Sequence, residues 1–182
     1  MNPKLQKKIS NLENIERFPA EELLELLPVK KTDNVLDLGA GTGYISLSIA
    51  ERVNTVYALD NDKDVLEYLE TQAKERGIAN IQSVVGDFKK IPLDNLDIAI
   101  ASISLHEVQP LATALKEINR SLKDRGLLLC IELEKTETST GPRVSSKDME
   151  IAILDAGFSI VNKIYPSTKI ANQSIYIILA QK

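Results

Sequence analysis

A run of seven residues with three glycines, Asp37-Leu38-Gly39-Ala40-Gly41-Thr42-Gly43, constrains the fold of this chain more than any other feature. It follows the short run Asn34–Leu36 and precedes Tyr44–Ala50, in which Ile45 and Ile49 have helical spacing. The order strand, glycine turn and helix places backbone N–H groups and a helix N-terminus at the carboxyl edge of a sheet. Glycine also lets the backbone approach a ligand closely and adopt positive φ. The sequence therefore predicts a site for a nucleotide-like ligand in an open α/β fold.

A second strand is predicted at Thr55–Leu59, and it ends on Asp60. An acidic side chain at this place accepts hydrogen bonds from the hydroxyls of a ribose. Two ligand classes compete: a dinucleotide such as NAD, and an adenosine-type cofactor such as S-adenosylmethionine. The dinucleotide fingerprint carries a third glycine for close helix packing, and this chain has Tyr44 or Ser46 at that position. The spacing therefore disfavours the dinucleotide.

The stretch Val35–Gly43 resembles the first motif of class I S-adenosylmethionine-dependent methyltransferases, and three later stretches resemble further motifs in the right order. They are Gly86-Asp87-Phe88 after the predicted strand Ile81–Val85, the predicted strand Leu96–Ala101, and the turn Arg120–Leu128. The resemblance implies a Rossmann-like α/β fold with a mostly parallel seven-stranded sheet, helices on both faces and an antiparallel last strand. It also implies S-adenosyl-L-methionine as the cofactor.

The same resemblance implies which residues bind the cofactor. Asp37 organises the glycine loop and receives the methionine amino group, Asp60 receives the ribose hydroxyls, and Phe88 covers the adenine ring. For Asp37, Asp60 and Asp87 the alternative is an ordinary turn former at the end of a strand. The full implied set is Asp37, Gly39, Ala40, Gly41, Gly43, Asp60, Asn61, Gly86, Asp87, Phe88 and Ser102.

Within the superfamily the chain resembles the small methyltransferases grouped with the ubiquinone/menaquinone C-methylating enzymes. Four stretches carry this second resemblance: Leu105–Val108, Glu134-Lys135, Gly141–Arg143 and Ala156–Phe158. It implies in-line methyl transfer to a small-molecule substrate, and it leaves the identity of that substrate open. The alternative is a module that binds S-adenosylmethionine or S-adenosylhomocysteine without catalysis, because both functions need an intact glycine loop.

His106, the single histidine in the sequence, follows the predicted fourth strand on the expected substrate side. Imidazole titrates near neutral pH, so His106 is a candidate base or a ligand for a substrate oxygen; the alternative is a structural histidine at a helix start. Glu107 is a candidate to orient an amine substrate, or it favours the following helix N-terminus. If His106 is structural, Glu132 and Glu134 at the end of the fifth strand are the next candidates.

Other chemistries lack the residues that they need. Ala101–Ser104 stands where many amino-group methyltransferases carry an Asn/Asp-Pro-Pro-Tyr/Phe motif. Cys130, the single cysteine, lies in an apolar run, which disfavours a cysteine nucleophile and excludes an internal disulfide framework. No carboxylate cluster follows the fourth strand, so no metal is expected. The net charge of −4 and the absence of tryptophan argue against a nucleic-acid partner.

At 182 residues the chain is expected to form one methyltransferase domain over 1–182, with an N-terminal helical lid at 1–28 and a catalytic core at 29–182. Residues 3–28 have the pattern of one or two amphipathic helices, and the polar stretch 134–146 is predicted to be a surface loop. Both are candidates to close over a substrate, or they are plain packing and connection. Without a membrane-spanning run or a visible signal peptide, we expect a cytoplasmic protein with no membrane partner. The oligomeric state is open.

Helices are predicted at Asn61–Arg76, at Val108–Leu122, and from Ser145 or Ser146 to Ala156, each with capping or charge signals near its ends. Strands and helices alternate along the chain, which is typical of a sheet covered on both faces. Only the short stretch 87–95 remains between the third and fourth strands. The connection there is expected to be a loop rather than a helix.

Overall fold

A computed structural model describes residues 3–182, so the first two residues of the predicted N-terminal lid lie outside the described residues. Six α-helices and seven β-strands are present in this part of the chain. The helices are α1 Pro3–Glu13, α2 Ala20–Leu24, α3 Tyr44–Ile49, α4 Lys63–Glu75, α5 Leu111–Ser121 and α6 Ser146–Asp155. The strands are β1 Asn34–Leu38, β2 Thr55–Asp60, β3 Ile81–Val85, β4 Leu96–Ser102, β5 Leu122–Leu133, β6 Ser159–Ile164 and β7 Ile175–Gln181.

The strands form one seven-stranded sheet in the order β3-β2-β1-β4-β5-β7-β6. Strand β2 runs parallel to both β1 and β3, and β4 runs parallel to β5. Strand β7 is antiparallel to its neighbours β5 and β6. The predicted mostly parallel sheet with an antiparallel last strand is therefore confirmed, with the helices around it. Buried parallel strands read as nearly continuous apolar runs, as β4 does.

By its internal contacts the chain divides into two compact units between Asp87 and Phe88. The first unit carries α1 to α4 and β1 to β3. Its core includes a cluster of Ala40, Ala58, Leu66 and Leu69, so the glycine loop is anchored through Ala40 to the interface of β2 and α4. The second unit carries the remaining elements, and the buried face of α5 consists of Ala114, Leu115, Ile118 and Ser121.

The predicted start of the fifth helix was wrong by three residues. Residues Leu105–Glu107 form a short 3-10 turn, and α5 begins only at Leu111, after an extended Pro110. Proline lacks an N–H and fixes φ, which suits the position before a helix better than its interior. The end was one residue too long, because Leu122 already pairs with Leu96 as the first residue of β5.

Other predicted boundaries agree closely with the structure. Asp62 is the N-cap of α4 and accepts hydrogen bonds from Asp64 N at 3.0 Å and Val65 N at 3.2 Å. Ser145 is the N-cap of α6, and Gly157 beyond its end has a φ of +92°. The stretch between β3 and β4 is a loop, as expected. In residues 3–182 we find no helix that is both long enough and apolar enough to cross a membrane.

Candidate active site

The glycine loop connects β1 to α3, and its three glycines all adopt left-handed backbone conformations. Their φ angles are +75° at Gly39, +52° at Gly41 and +92° at Gly43. Residues with a Cβ rarely adopt these φ angles, which explains why glycine occupies alternate positions of this loop. Gly43 is also the N-cap of α3, so the helix begins directly at the end of the loop.

Backbone hydrogen bonds hold the loop against the end of β2. The amides of Gly39 and Ala40 both donate to Leu59 O, at 2.8 and 3.0 Å. The amide of Gly41 donates to Asp60 Oδ2 at 3.0 Å. The loop is therefore fixed by the second strand rather than by its own residues alone. These hydrogen bonds use the amides of Gly39, Ala40 and Gly41 to fix the conformation of the loop.

Asp60, the predicted ribose ligand, is half-buried at the end of β2. Its Oδ2 receives the Gly41 amide, and its Oδ1 receives the Asp62 amide at 2.9 Å. Each carboxylate oxygen has two acceptor sites, so both oxygens keep capacity for a hydroxyl donor. The sequence did not indicate that Asp60 also orders the glycine loop. Its contact with a ribose stays a prediction.

Asp37 is buried at the end of β1, with 2% of its surface exposed. Its Oδ2 accepts hydrogen bonds from Ser46 N at 3.0 Å and Ser46 Oγ at 2.6 Å. Burial raises the pKa of the Asp37 carboxyl to about 6, because removal from water disfavours its charged form. A cationic group placed beside it would restore the charged form. Ser46 was missed as a site residue, and the sequence holds no signal for it beyond its place in the first turns of α3.

The remaining residues of the predicted cofactor set lie in both units. In the first, Asn61 is exposed after β2, the Gly86 amide donates to Asp60 O at 3.0 Å, and Asp87 is exposed. In the second, Phe88 is buried and Ser102 is half-buried at the end of β4. The structure thus joins Gly86 to Asp60 directly. It does not test whether these side chains contact a cofactor.

The segment between α1 and α2 contacts the first residue of α3. Tyr44 Oη donates a hydrogen bond to Phe18 O at 2.6 Å. The Arg17 guanidinium lies over the Tyr44 ring, 4.9 Å from its centroid. Arg17, Thr42, Gly43 and Tyr44 are among the residues that line a cleft of about 380 Å³ within the first unit. Arg17 carried no signal in the sequence that marked it as a site residue.

In the second unit, His106 lies in the 3-10 turn after β4 and is paired with a buried carboxylate. Its Nδ1 is 2.7 Å from Glu132 Oε2, and Glu132 has no exposed surface. The other oxygen, Oε1, accepts the amides of Leu105 at 2.8 Å and His106 at 3.2 Å. Glu132 therefore fixes both the turn and the imidazole that the turn carries.

The hydrogen bond to Glu132 raises the pKa of His106 above its ordinary value, against the opposing effect of burial. Because Nδ1–H donates to the carboxylate, Nε2 is the ring atom left for other partners. Nε2 lies 3.9 Å from Oε1 of the exposed Glu107. Glu107, the second predicted catalytic residue, thus neighbours the imidazole without a close hydrogen bond to it.

A strained residue precedes this turn. Ile103 has a φ of +54°, a left-handed conformation that a β-branched residue rarely adopts, and its amide donates to Ile131 O at 2.8 Å. Such strain persists only where the surrounding structure enforces it, and it is concentrated at functional sites. Here it redirects the chain from β4 into the turn that holds His106.

Arg143, in the predicted surface loop 134–146, also acts on His106, and the sequence did not single it out as functional. Its charge opposes protonation of His106 and so lowers the pKa of that imidazole. Its Nη1 donates to Pro142 O at 2.7 Å. Its Nε is buried and has no hydrogen-bond partner in the described structure. Buried donors are usually satisfied, so an unpaired guanidinium nitrogen at this place is unusual.

Two other chemistries find no support in these residues. Residues 3–182 contain no group of three or more His, Cys, Asp or Glu side chains placed to hold a metal ion. Cys130 is fully buried, and burial raises the pKa of its thiol well above the ordinary value. A protonated, buried thiol is a poor nucleophile. The site therefore offers carboxylates, one imidazole and guanidinium groups.

Comparison with known proteins matches residues 29–176 to a family model described as a methyltransferase domain. The chain belongs to the methyltransferase domain family. It is 33% identical over 117 residues to a demethylmenaquinone methyltransferase from Geobacillus sp. strain WCH70, which covers 62% of this chain and 50% of the relative. The chain spans about half the length of the curated relatives it matches.

Solved structures share the fold of this methyltransferase-family chain. An S-adenosylmethionine-dependent methyltransferase from Aquifex aeolicus has a TM-score of 0.82 and 24% identity, covering 96% of this chain and 97% of that one. The cyclase SpnF has a TM-score of 0.82 and 20% identity, covering 90% and 79%. Together with the family match, these place the chain in the class I S-adenosylmethionine-dependent methyltransferases, whose cofactor is S-adenosylmethionine. They also show that one fold carries different reactions, so the chemistry has to be argued from the site.

Proposed function

We propose that this chain transfers the methyl group of S-adenosylmethionine, in line, to a small-molecule substrate. The observation that carries the proposal is the glycine loop, fixed between the carboxylates that end β1 and β2. In-line transfer depends chiefly on orientation, which contributes on the order of 7–11 kcal/mol to lowering a barrier. A loop whose conformation is fixed by hydrogen bonds to Leu59 O and Asp60 Oδ2 supplies such orientation.

The residues present fit the cofactor. A Cβ built on Gly41 would have a single neighbour within range, Gly39 O at 4.0 Å, so the space beside the loop is open to a ligand. Asp37 offers a buried anion to the methionine ammonium, and Asp60 offers acceptor sites to the ribose hydroxyls. The bound cofactor supplies a methyl group on a positively charged sulfur. The N-terminal segment 1–28 is proposed to act as a lid over the bound cofactor and substrate.

His106 and Arg143 are proposed to serve the substrate. Nε2 of His106 either removes a proton from the nucleophile or holds a substrate oxygen, and Glu132 keeps the imidazole oriented. The Arg143 guanidinium, whose Nε has no hydrogen-bond partner in the described structure, is the second donor group proposed for a substrate oxygen. The named relatives act on demethylmenaquinone, and this supports a hydroxylated aromatic compound as the first substrate class to test.

The test is a methyl-transfer assay with S-adenosylmethionine and 1,4-naphthoquinol, followed by mass spectrometry for S-adenosylhomocysteine and methylated product. We expect a rate that rises with pH through the pKa of His106, above 6.5. His106→Ala should remove this inflection and slow transfer by about a hundred-fold or more, with cofactor affinity unchanged. Glu107→Gln is the neighbouring control and should retain the inflection, shifted slightly to lower pH because the charge of Glu107 raises the pKa of His106.

Two outcomes contradict the proposal. A chain that binds S-adenosylmethionine, yet forms no S-adenosylhomocysteine with naphthoquinol or with a whole extract of cellular small molecules, is a binding module. A pH profile that keeps its shape in His106→Ala assigns the imidazole a structural role and leaves orientation as the source of catalysis.

A further inference from the structure

Arg17 places a guanidinium next to the glycine loop from a segment outside the predicted cofactor set. It lies 4.9 Å from the centroid of Tyr44, and Tyr44 follows directly on Gly43. Tyr44 is in turn hydrogen-bonded to Phe18 O. The stacking and this hydrogen bond hold the guanidinium in place against the start of α3. Arg17 lines the cleft of about 380 Å³ together with Thr42 and Gly43.

Most of the hydrogen-bonding capacity of this guanidinium is unused. Arg17 is half-buried, and in the described structure it makes one hydrogen bond, from Nη2 to Leu12 O at 3.0 Å. A guanidinium has five N–H donors in a planar fork that matches a carboxylate. Burial costs such a group hydration; the Tyr44 ring and Leu12 O recover part of that cost, and an anion beside the remaining donors would recover more.

Asp37 is a carboxylate whose charge acts on Arg17. The two groups interact electrostatically, each favouring the charged form of the other. No ion pair joins them among residues 3–182, where Asp37 is hydrogen-bonded to Ser46 and Arg17 is stacked on Tyr44. A buried anion and a half-buried cation are thus held near one another without direct contact. This pattern is complementary to a molecule that carries both charges.

We propose that Arg17 binds the carboxylate of the methionine end of S-adenosylmethionine, while Asp37 faces its ammonium group. An amino acid zwitterion carries these two charges on one carbon, so each of its charges has a group of opposite charge to face. The inference rests on the proposed function and adds a residue of the N-terminal segment to the cofactor site. Through this contact the bound cofactor would hold the N-terminal segment against the glycine loop.

The alternative role for Arg17 is a clamp that merely holds the N-terminal segment on Tyr44. The two roles differ in their dependence on the ligand. A clamp affects every adenosine ligand equally, because it acts on the loop. A carboxylate ligand affects only those molecules that carry a carboxylate.

The test is calorimetric titration of the full chain with S-adenosylhomocysteine and with its analogue that lacks the carboxylate. The wild type should bind S-adenosylhomocysteine at least about ten-fold more tightly than the analogue, since charge-assisted hydrogen bonds are among the stronger ones. Arg17→Met should lose this preference and bind the two ligands about equally. Arg17→Lys, which keeps the charge without the fork, should show an intermediate preference.

Arg76→Met is the matched control, because Arg76 lines the same cleft and is exposed. It should keep the full preference of the wild type. Equal weakening of both ligands in Arg17→Met, or an unchanged preference, overturns the proposal. If Arg17→Met does not fold, a preference in Arg17→Lys equal to that of the wild type overturns it. A wild type that binds neither ligand overturns the proposed function instead.

Discussion

The pair of His106 and Glu132 concentrates more buried polar interaction than any other contact we describe in the second unit. One carboxylate accepts two backbone amides and one imidazole N–H, with no exposed surface of its own. Removing one partner of such a buried arrangement costs about 3–5 kcal/mol, because the remaining groups stay buried and unpaired. The pair therefore holds the turn after β4 as well as the orientation of the imidazole.

Glu132→Gln should lower the pKa of His106 toward 6.5, because the neutral amide no longer favours the imidazolium. The raised pKa stabilises the folded wild type below pH 6.5, and this contribution fades as pH rises through the folded-state pKa. The difference in unfolding free energy between wild type and variant should accordingly shrink toward high pH. His106 is the single histidine, so its ring resonances in an NMR pH titration report the pKa directly.

Glu107→Gln serves as the control in that titration, since Glu107 is exposed and its charge acts on His106 less strongly than Glu132 does. It should change the pKa of His106 less than Glu132→Gln does. A His106 pKa that is unchanged in Glu132→Gln would show that the carboxylate does not set the charge of the imidazole.

The sequence predicted the positions of some site residues and missed others. Asp37 and Asp60 end apolar runs beside a glycine turn, so local order alone predicted where they lie. Glu132 appeared only as a fallback candidate, because it lies inside an apolar strand and its partner His106 is distant in sequence. Long-range pairing of this kind leaves no local pattern. Arg17 and Arg143 were missed for the same reason.

The element that matters most for the site is the turn from β1 into α3. Gly43 has both a φ of +92° and a packed neighbour: a Cβ added there would lie 2.1 Å from Leu69 Cδ1. Leu69 is fully buried in the α4 face of the core. The start of α3 thus approaches α4 as closely as it does because position 43 carries no side chain.

Gly43→Ala should reduce the free energy of unfolding by about 2–5 kcal/mol, from backbone strain combined with overpacking against Leu69. Gly77→Ala is the matched control, with a φ of +70° and no atom within 4 Å of the added Cβ, so it bears the strain alone. It should cost about 1–2 kcal/mol. Urea unfolding of both variants measures the difference. Equal losses would show that the contact with α4 contributes nothing.

Elements were predictable where their signals were local. Ser145 caps α6 as the sequence indicated, and Gly157 follows that helix. Asp62, which was predicted in the first turn of α4, is instead its N-cap. The predicted C-terminal end of the fifth helix was one residue too long because the apolar stripe continues through Leu122. In the structure Leu122 is the first residue of β5. Pairing with Leu96 in a parallel strand decided that boundary, and periodicity cannot show it.

At the scale of the whole molecule, alternation of strands and helices predicted only a mostly parallel sheet. The count of seven strands and the antiparallel β7 followed from resemblance to a family, since no local pattern gives strand order. Division of the chain between Asp87 and Phe88 had no signal in composition. The fold in turn leaves the substrate open, because loops and single side chains determine it.

The central claim is that the glycine loop binds S-adenosylmethionine, and calorimetric titration of the folded chain with S-adenosylhomocysteine tests it most directly. The wild type should bind, and Gly41→Val should weaken binding by about ten-fold or more. At a φ of +52° a β-branched residue distorts the loop and occupies the open space beside it. Unchanged affinity in a folded Gly41→Val variant, or tighter binding of NAD than of S-adenosylhomocysteine by the wild type, would contradict the account.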